Sequence, residues 1–198
     1  MDLNQKYNIV DKLDFRNNKS DLIYSYIFRL IGIFFFGFLY YRIYNYQYGY
    51  VDFADLINIE IKDVSAIVSV LLLLLNILFV LYLHELIHAL VFFITNKQKP
   101  NIGYKGWVIY AAAPNQIITK KNIIVNALSP FVVISIIGFV LIAIAPLAFV
   151  PWIFIPTLIN AAASGGDFIL IYFVLKQRKG VYYNDKGDII YVIEFNTK

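Results

Sequence analysis

Four apolar stretches, each long enough to cross a lipid bilayer as a helix, constrain this chain more than any other sequence feature. They lie at residues 22–44, 64–94, 123–149 and 150–175. A membrane-spanning helix needs about 20 mainly apolar residues. Because 60% of the 198 residues are hydrophobic and only 15% are charged, the composition excludes both a disordered chain and a soluble globular domain. The sequence therefore predicts an all-α membrane protein with about four transmembrane helices.

The positions of lysine and arginine predict how these helices are oriented. Of the 17 basic residues, 14 lie in the N-terminal arm, in the loop between the second and third stretches, or in the C-terminal tail. Four spans bring these three segments to the same side, and cytoplasmic loops carry an excess of positive charge. We therefore expect a multi-pass protein of the cell membrane with both termini in the cytoplasm. The net charge is +4, and the basic residues lie beside apolar stretches. Their position favours the lipid bilayer as a partner over nucleic acid.

The loop and the tail on that side both carry β-like patterns. Each has a turn-like segment next to a run of β-forming residues, which is typical of hairpins. The turn-like segments are 103–106 and 184–187, and the strand-like runs are 107–110, 181–183 and 189–195. We therefore expect a small cytoplasmic β element from the loop and the tail. The predicted organisation is an arm over 1–21, a four-helix transmembrane domain over 22–175 and a tail over 176–198 with a β-hairpin.

The second apolar stretch contains both histidines of the chain, in the sequence His84-Glu85-Leu86-Ile87-His88. On a helix, a spacing of four residues places the two imidazoles on one face, where both can bind a single Zn²⁺. Glu85 would then lie beside the ion as a candidate general base. The alternative is a structural polar cluster. That interpretation does not account for Glu85, since a carboxylate within the hydrocarbon costs about 2.5–3.5 kcal/mol on insertion. We favour the zinc site.

A third ligand is expected because catalytic zinc sites keep three protein ligands and one open position. The chain has no cysteine, and Asp167 is the other acidic residue within the four stretches. At 1.5 Å per residue, His84, His88 and Asp167 lie about 15, 9 and 12 Å from the cytoplasmic ends of their helices. The three groups can therefore meet if the second and fourth helices are neighbours. An ion pair between Asp167 and Arg29 is the alternative.

Three further residues of the fourth stretch belong to this picture. Gly165 and Gly166 precede Asp167 directly and would permit a close approach or a helix break, although small residues also serve ordinary helix packing. Asn160 lies two turns before Asp167 and is a candidate for binding a substrate or an oxyanion. Its alternative role is a hydrogen bond between helices.

The motif from His84 to His88, the segment Ser164-Gly165-Gly166-Asp167 and the short β tail together resemble the DUF3267 family of zincin peptidases. That family is in turn similar to the site-2-protease type of intramembrane zinc metalloprotease. The resemblance covers about residues 64–195 and implies zinc ligation by the two histidines and by Asp167, with Glu85 as general base. The chain departs from many site-2 proteases, because Ser-Gly-Gly-Asp stands where those have Asn-Pro-Asp-Gly.

We therefore expect an intramembrane zinc metallopeptidase that hydrolyses a peptide bond with a zinc-activated water. Its substrate would be a membrane protein or peptide. Because a helix shields its own peptide bonds, the substrate must be extended, and the strand at 107–110 is a candidate to hold it by strand addition. Two alternatives remain open: a metal-dependent hydrolase of a lipid-like, non-peptide substrate, and a non-catalytic zinc-binding membrane protein.

Overall fold

The computed structural model describes residues 7–14, 18–49, 52–105 and 108–195. Its helices are α1 (Lys19–Tyr48), α2 (Ala66–Asn96), α3 (Lys120–Ile144), α4 (Val150–Ala163) and α5 (Gly165–Lys176). The last two combine with the preceding 3-10 turn into one apolar segment, Leu147–Lys176. Four helical segments are thus long and apolar enough to cross a membrane, as in a multi-pass membrane protein. The prediction of four such segments is confirmed.

Local capping explains where the helices begin and end. The side chain of Ser65 accepts a hydrogen bond from the Val68 N–H at the start of α2, and Thr119 caps α3 in the same way. The helix α3 ends at Ile144, whereas the sequence prediction continued it to residue 149. The reason is Pro146, which disfavours the helical conformation for the residue before it.

All described strands join one antiparallel sheet in the order β1-β5-β4-β3-β2. The strands are β1 (Tyr7–Asp14), β2 (Asn101–Lys105), β3 (Val108–Thr119), β4 (Tyr182–Asp185) and β5 (Ile189–Phe195). Within the predicted segment 107–110, Trp107 lies outside the described residues, as does Gly106 of the predicted turn. The observed strand β3 continues to Thr119, well beyond the predicted run.

The N-terminal arm corrects the predicted fold class. The description as all-α, with a β element from the loop and the tail alone, is too narrow, because β1 pairs along β5 from Tyr7 opposite Phe195 to Asp14 opposite Ile189. The strand β1 is mostly exposed and buries only its last two residues. It therefore lacks the alternation of buried and exposed side chains that reveals a strand in a sequence.

The sheet lies at one end of the helical bundle, because its strands directly precede α1 and α3 and follow α2 and α5. One apolar core joins the sheet to these helix ends and includes Phe92, Ile123 and Tyr183. A second core, around Tyr40 and Phe154, lies toward the other end of the bundle. The candidate metal ligands lie close to the junction between the helices and the sheet.

We expect Gly165→Ala to lower the thermal stability of the protein. An added Cβ would lie 2.4 Å from Cγ of Arg29 and 2.9 Å from the backbone oxygen of Ser25, so α5 would be forced away from α1. Overpacking of this kind costs about 1–3 kcal/mol. The measurement is thermal unfolding of the purified protein in detergent.

The matched control for this experiment is Gly166→Ala. Nothing lies within 4 Å of a Cβ added at Gly166, and alanine is the better helix former. This variant should therefore be as stable as the wild type or more stable. Equal stability of the Gly165 and Gly166 variants would contradict the close packing of α5 on α1.

Candidate metal centre

His84, His88 and Asp167 meet at the junction of α2 and α5. The two histidine Nε2 atoms lie 3.1 Å apart, and each lies 3.4 Å from a carboxylate oxygen of Asp167. One ligand atom from each residue falls within a group no wider than 4.8 Å. Both imidazoles are buried, at 5% and 8% exposure. The three residues that the sequence predicted as ligands are therefore placed where one ion can contact all of them.

A break in the fourth apolar segment positions the carboxylate. At Ser164 the backbone leaves the regular helix, with ψ near 0°, and α5 begins at Gly165. Asp167 consequently lies in the first turn of a new helix, where backbone dipoles favour negative charge. Arg29 packs its side chain beside Gly165 and places its guanidinium 5.4 Å from the ring of Tyr26.

The alternative of an Asp167–Arg29 ion pair is not found. Within the part of the chain that the structure describes, the ion contacts of Asp167 are with the two histidines. The acidic side chain is therefore turned toward α2 and the site, and away from the arginine of the first span.

Two asparagines form hydrogen bonds with the Nδ1 atoms of the histidine rings, on the side away from Asp167. The Nδ1–H of His84 donates to Oδ1 of Asn160 at 2.9 Å, and that of His88 donates to Oδ1 of Asn126 at 3.0 Å. Asn126 also donates from Nδ2 to the backbone oxygen of His88 at 2.8 Å. A proton held on Nδ1 leaves Nε2 as a free lone pair, which is how proteins orient metal-binding histidines.

Asn160 had been singled out as a candidate for substrate or oxyanion binding. Its side chain is completely buried and its amide oxygen accepts a hydrogen bond from His84, while its Nδ2 has no hydrogen-bond partner among the described residues. A role toward a substrate stays a prediction. Asn126 orients the ring of His88, a role that the sequence did not predict. The one feature that distinguishes it in the sequence is that it is polar and lies within an apolar stretch.

The three donors are suited to a metal ion and poorly satisfied without one. With both Nδ1 atoms protonated, two Nε2 lone pairs face each other at 3.1 Å, and a cation between them would remove their repulsion. Among the described residues, the buried Asp167 Oδ2 makes no hydrogen bond and has His84 Nε2 as a contact at 3.4 Å. In a tetrahedral site with Zn–N bonds of about 2.0–2.1 Å, two nitrogens lie about 3.3 Å apart. Two imidazoles and one carboxylate are a donor set typical of catalytic zinc.

Glu85 lies at the wall of the cavity in front of these donors. The cavity has a volume of about 450 Å³ and is lined by the three candidate ligands, by Glu85 and by parts of α3, β2 and β3. The side chain is half-buried, and its Oε2 accepts a hydrogen bond from the Ala111 N–H at 2.9 Å. The predicted general base is therefore attached to the strand β3.

The turn between β4 and β5 forms another wall of the same cavity. Its residues Asp185, Lys186, Gly187 and Asp188 all line the cavity. The side chain of Asp185 is 7% exposed, and its Oδ1 accepts a hydrogen bond from the Gly187 N–H at 2.7 Å. Burial raises the pKa of the Asp185 carboxyl to about 7. The sequence predicted this segment only as a turn, because nothing local shows that it folds back over the histidines.

We expect Asn126→Ala to weaken zinc binding about 10- to 100-fold, the usual effect of losing a hydrogen-bond partner of a metal-binding histidine. The variant frees the ring of His88 to rotate. Zinc affinity would be measured by competition with a chelator of known affinity. The control is Ser129→Ala, which removes a hydroxyl bonded to Val125 on the same helix. An unchanged affinity in Asn126→Ala would contradict the orienting role.

The comparisons with known proteins agree with this site. The family model DUF3267, described as "Putative zincin peptidase", matches residues 77–182. The matched region includes His84, Glu85, His88 and Asp167 and ends before Asp185. We found no match to the chain among curated proteins or among solved structures. Since the family model spans more than half of the chain, this protein belongs to the DUF3267 family.

Proposed function

We propose that this protein is an intramembrane zinc metallopeptidase. His84, His88 and Asp167 hold the ion, and Glu85 is the general base for hydrolysis of a peptide bond in a membrane protein or peptide. The observation that carries this proposal is the convergence of the three donors beside Glu85 in one cavity. Membership of a zincin peptidase family supports the reaction class.

Each residue of the site has a separate role in the proposed hydrolysis. A bound Zn²⁺ supplies Lewis-acid chemistry, which makes water a stronger acid and polarises the carbonyl of a peptide. Glu85 accepts the proton of the attacking water and delivers it to the leaving amine. The Ala111 N–H binds one of its oxygens, and the side chain lines the same cavity as the three candidate ligands. Asn126 and Asn160 keep the imidazoles aligned throughout.

The orientation in the membrane is part of the same proposal. We place the sheet and both termini in the cytoplasm, as the distribution of lysine and arginine predicts. The metal site lies near the sheet end of the helices, and therefore in the cytoplasmic part of the bilayer. A substrate segment would reach it where membrane and cytoplasm meet.

The strand β3 offers an edge that suits an extended substrate. Its residues 108–112 pair with β2, whereas pairing with β4 is found only from Ala113 onward among the described residues. The Ala111 N–H points away from β2 and toward Glu85. Because orientation alternates along a strand, the backbone of Ile109 also faces this open side. Strand addition here would bring a peptide bond next to the general base.

We expect Glu85→Gln to retain bound zinc and to lose at least about 100-fold of the hydrolytic activity, since it removes the proton acceptor. Activity would be read as protein fragments that appear in membranes with the wild type but not with the variant. Zinc content would be measured on the purified proteins. Asp167→Ala is the complementary variant, and it should lose both zinc and activity.

These two variants separate the proposal from its alternatives. A non-catalytic zinc-binding protein would show no fragments that depend on Glu85. A hydrolase of lipid-like substrates would show altered lipids and unaltered proteins. Stoichiometric zinc in Asp167→Ala would contradict the assignment of the third ligand.

We expect Ile109→Pro to reduce cleavage at least about tenfold while zinc is retained. Proline removes an N–H on the open side of β3, so an added substrate strand loses a backbone hydrogen bond and meets a bulky ring. The matched control is Ile102→Pro, which makes the same change on the outer edge of β2, opposite Ala111. If both variants cleave at the wild-type rate, substrate does not bind along β3.

A further inference from the structure

Building on the peptidase function proposed above, we infer that Asp185 selects substrates with a cationic side chain, lysine or arginine, within about two residues of the cleaved bond. Asp185 lies beyond the region matched by the family model, so that match assigns no role to it. The inference rests on its position in the sheet, on the charges around the cavity and on its burial.

The register of the sheet places Asp185 at the end of the open edge of β3. Asp185 pairs with Ala113, the backbone pairing of β4 with β3 ends there, and the turn through residues 186–188 packs Gly187 beside the side chains of Tyr110 and Ala112. A substrate strand along 108–112 would therefore continue the line of β4 and end at Asp185. Ala113 is two residues from Ala111, which binds the general base, and this corresponds to about 7 Å along a strand. Asp185 would thus lie beyond the end of the substrate strand, within reach of a substrate side chain close to the cleaved bond.

None of the ion pairs among the described residues includes Asp185. Asp167 faces the two histidines, and Glu85 is held by β3. The cation nearest in sequence, Lys186, is exposed and places its ammonium 5.1 Å from the ring of Tyr191. A lysine or arginine of the substrate would supply the opposite charge, and a charge-assisted hydrogen bond with it.

Burial makes this carboxylate costly unless a cation compensates it. Asp185 is 7% exposed, and it lines the cavity that contains the candidate ligands. Its pKa is raised to about 7, chiefly because burial disfavours the charged form of the carboxyl. Buried ionisable groups in clefts with perturbed pKa values are frequent in functional sites. A cation bound beside Asp185 would remove the cost and hold the group ionised.

The hydrogen bond from Gly187 also gives Asp185 a structural role in the turn. One substitution separates this structural role from the proposed electrostatic role. The backbone of Gly187 has φ of +84° in this turn, and its N–H is bonded by Oδ1 of Asp185. Asparagine retains a side-chain oxygen for that bond and removes the charge. Asp185→Asn therefore preserves the turn while it tests the electrostatic role.

The probes are three peptide hydroxamates that bind through zinc and differ only in one side chain near the hydroxamate: lysine, norleucine or glutamate. Affinity would be measured on the zinc-loaded full chain in detergent, at pH 8. We expect the wild type to bind the lysine peptide about tenfold more tightly than the norleucine peptide, as for one hydrogen bond between charged groups. The glutamate peptide should bind most weakly.

The variants determine whether Asp185 causes this preference. In Asp185→Asn, the ratio of the lysine to the norleucine affinity should fall to about 1. The control Glu194→Gln removes a carboxylate on the same hairpin that pairs with Arg178 at the surface, and it should keep the ratio. Binding of norleucine peptide by each variant shows that the site is folded.

Two results would overturn the inference, and they are distinguishable from a failure of the proposed function. Equal affinity of the wild type for lysine and norleucine peptides, or an unchanged ratio in Asp185→Asn, contradicts selection by Asp185 and leaves the zinc site intact. If no hydroxamate binds the zinc-loaded wild type, the metallopeptidase proposal itself fails and the selection by Asp185 fails with it.

Discussion

The close approach of three candidate metal ligands inside an apolar helical bundle sets a requirement that the surrounding packing meets. Two imidazole nitrogens and a carboxylate lie within a few ångströms of one another, and both histidines are buried. A shared cation would compensate the carboxylate and the facing imidazole nitrogens, and helices α2 and α5 and two asparagines keep the three groups together. The DUF3267 family match and the proposed zinc chemistry are both consistent with this single requirement.

The sheet is part of the site and not an appendage of the membrane domain. Strand β3 binds the side chain of Glu85 through the backbone of Ala111, and Asp185 and the turn after β4 line the same cavity. Antiparallel pairing joins segments from both ends of the chain to the middle loop, so the two walls have a defined separation. The helices thus carry the candidate metal ligands, while the strands would provide the surface for the extended substrate that we propose.

Particular residues show how far a sequence can predict such a site. The sequence predicts His84 and His88 as a pair, because residues four apart lie on the same face of a helix. Glu85 and Asp167 are candidates because acidic residues are rare in apolar stretches. Asn126 was not recognisable, since an asparagine within a span serves helix packing as readily as it orients a histidine. The strand β1 was hidden because an exposed edge strand has no alternating pattern, and Asp185 because its turn has no local signal of what it faces.

The four apolar helices and the spacing that aligns two imidazoles follow from the sequence, because both depend on local geometry and on the cost of exposing apolar surface to water. The histidine nitrogens that face Asp167, the strand that binds Glu85 and the presence of Asp185 at the cavity follow from the tertiary fold. Those features depend on contacts between residues far apart in the chain, such as His88 with Asn126 and Glu85 with Ala111. Helix packing and strand register bring them together, and neither can be derived from local residue patterns.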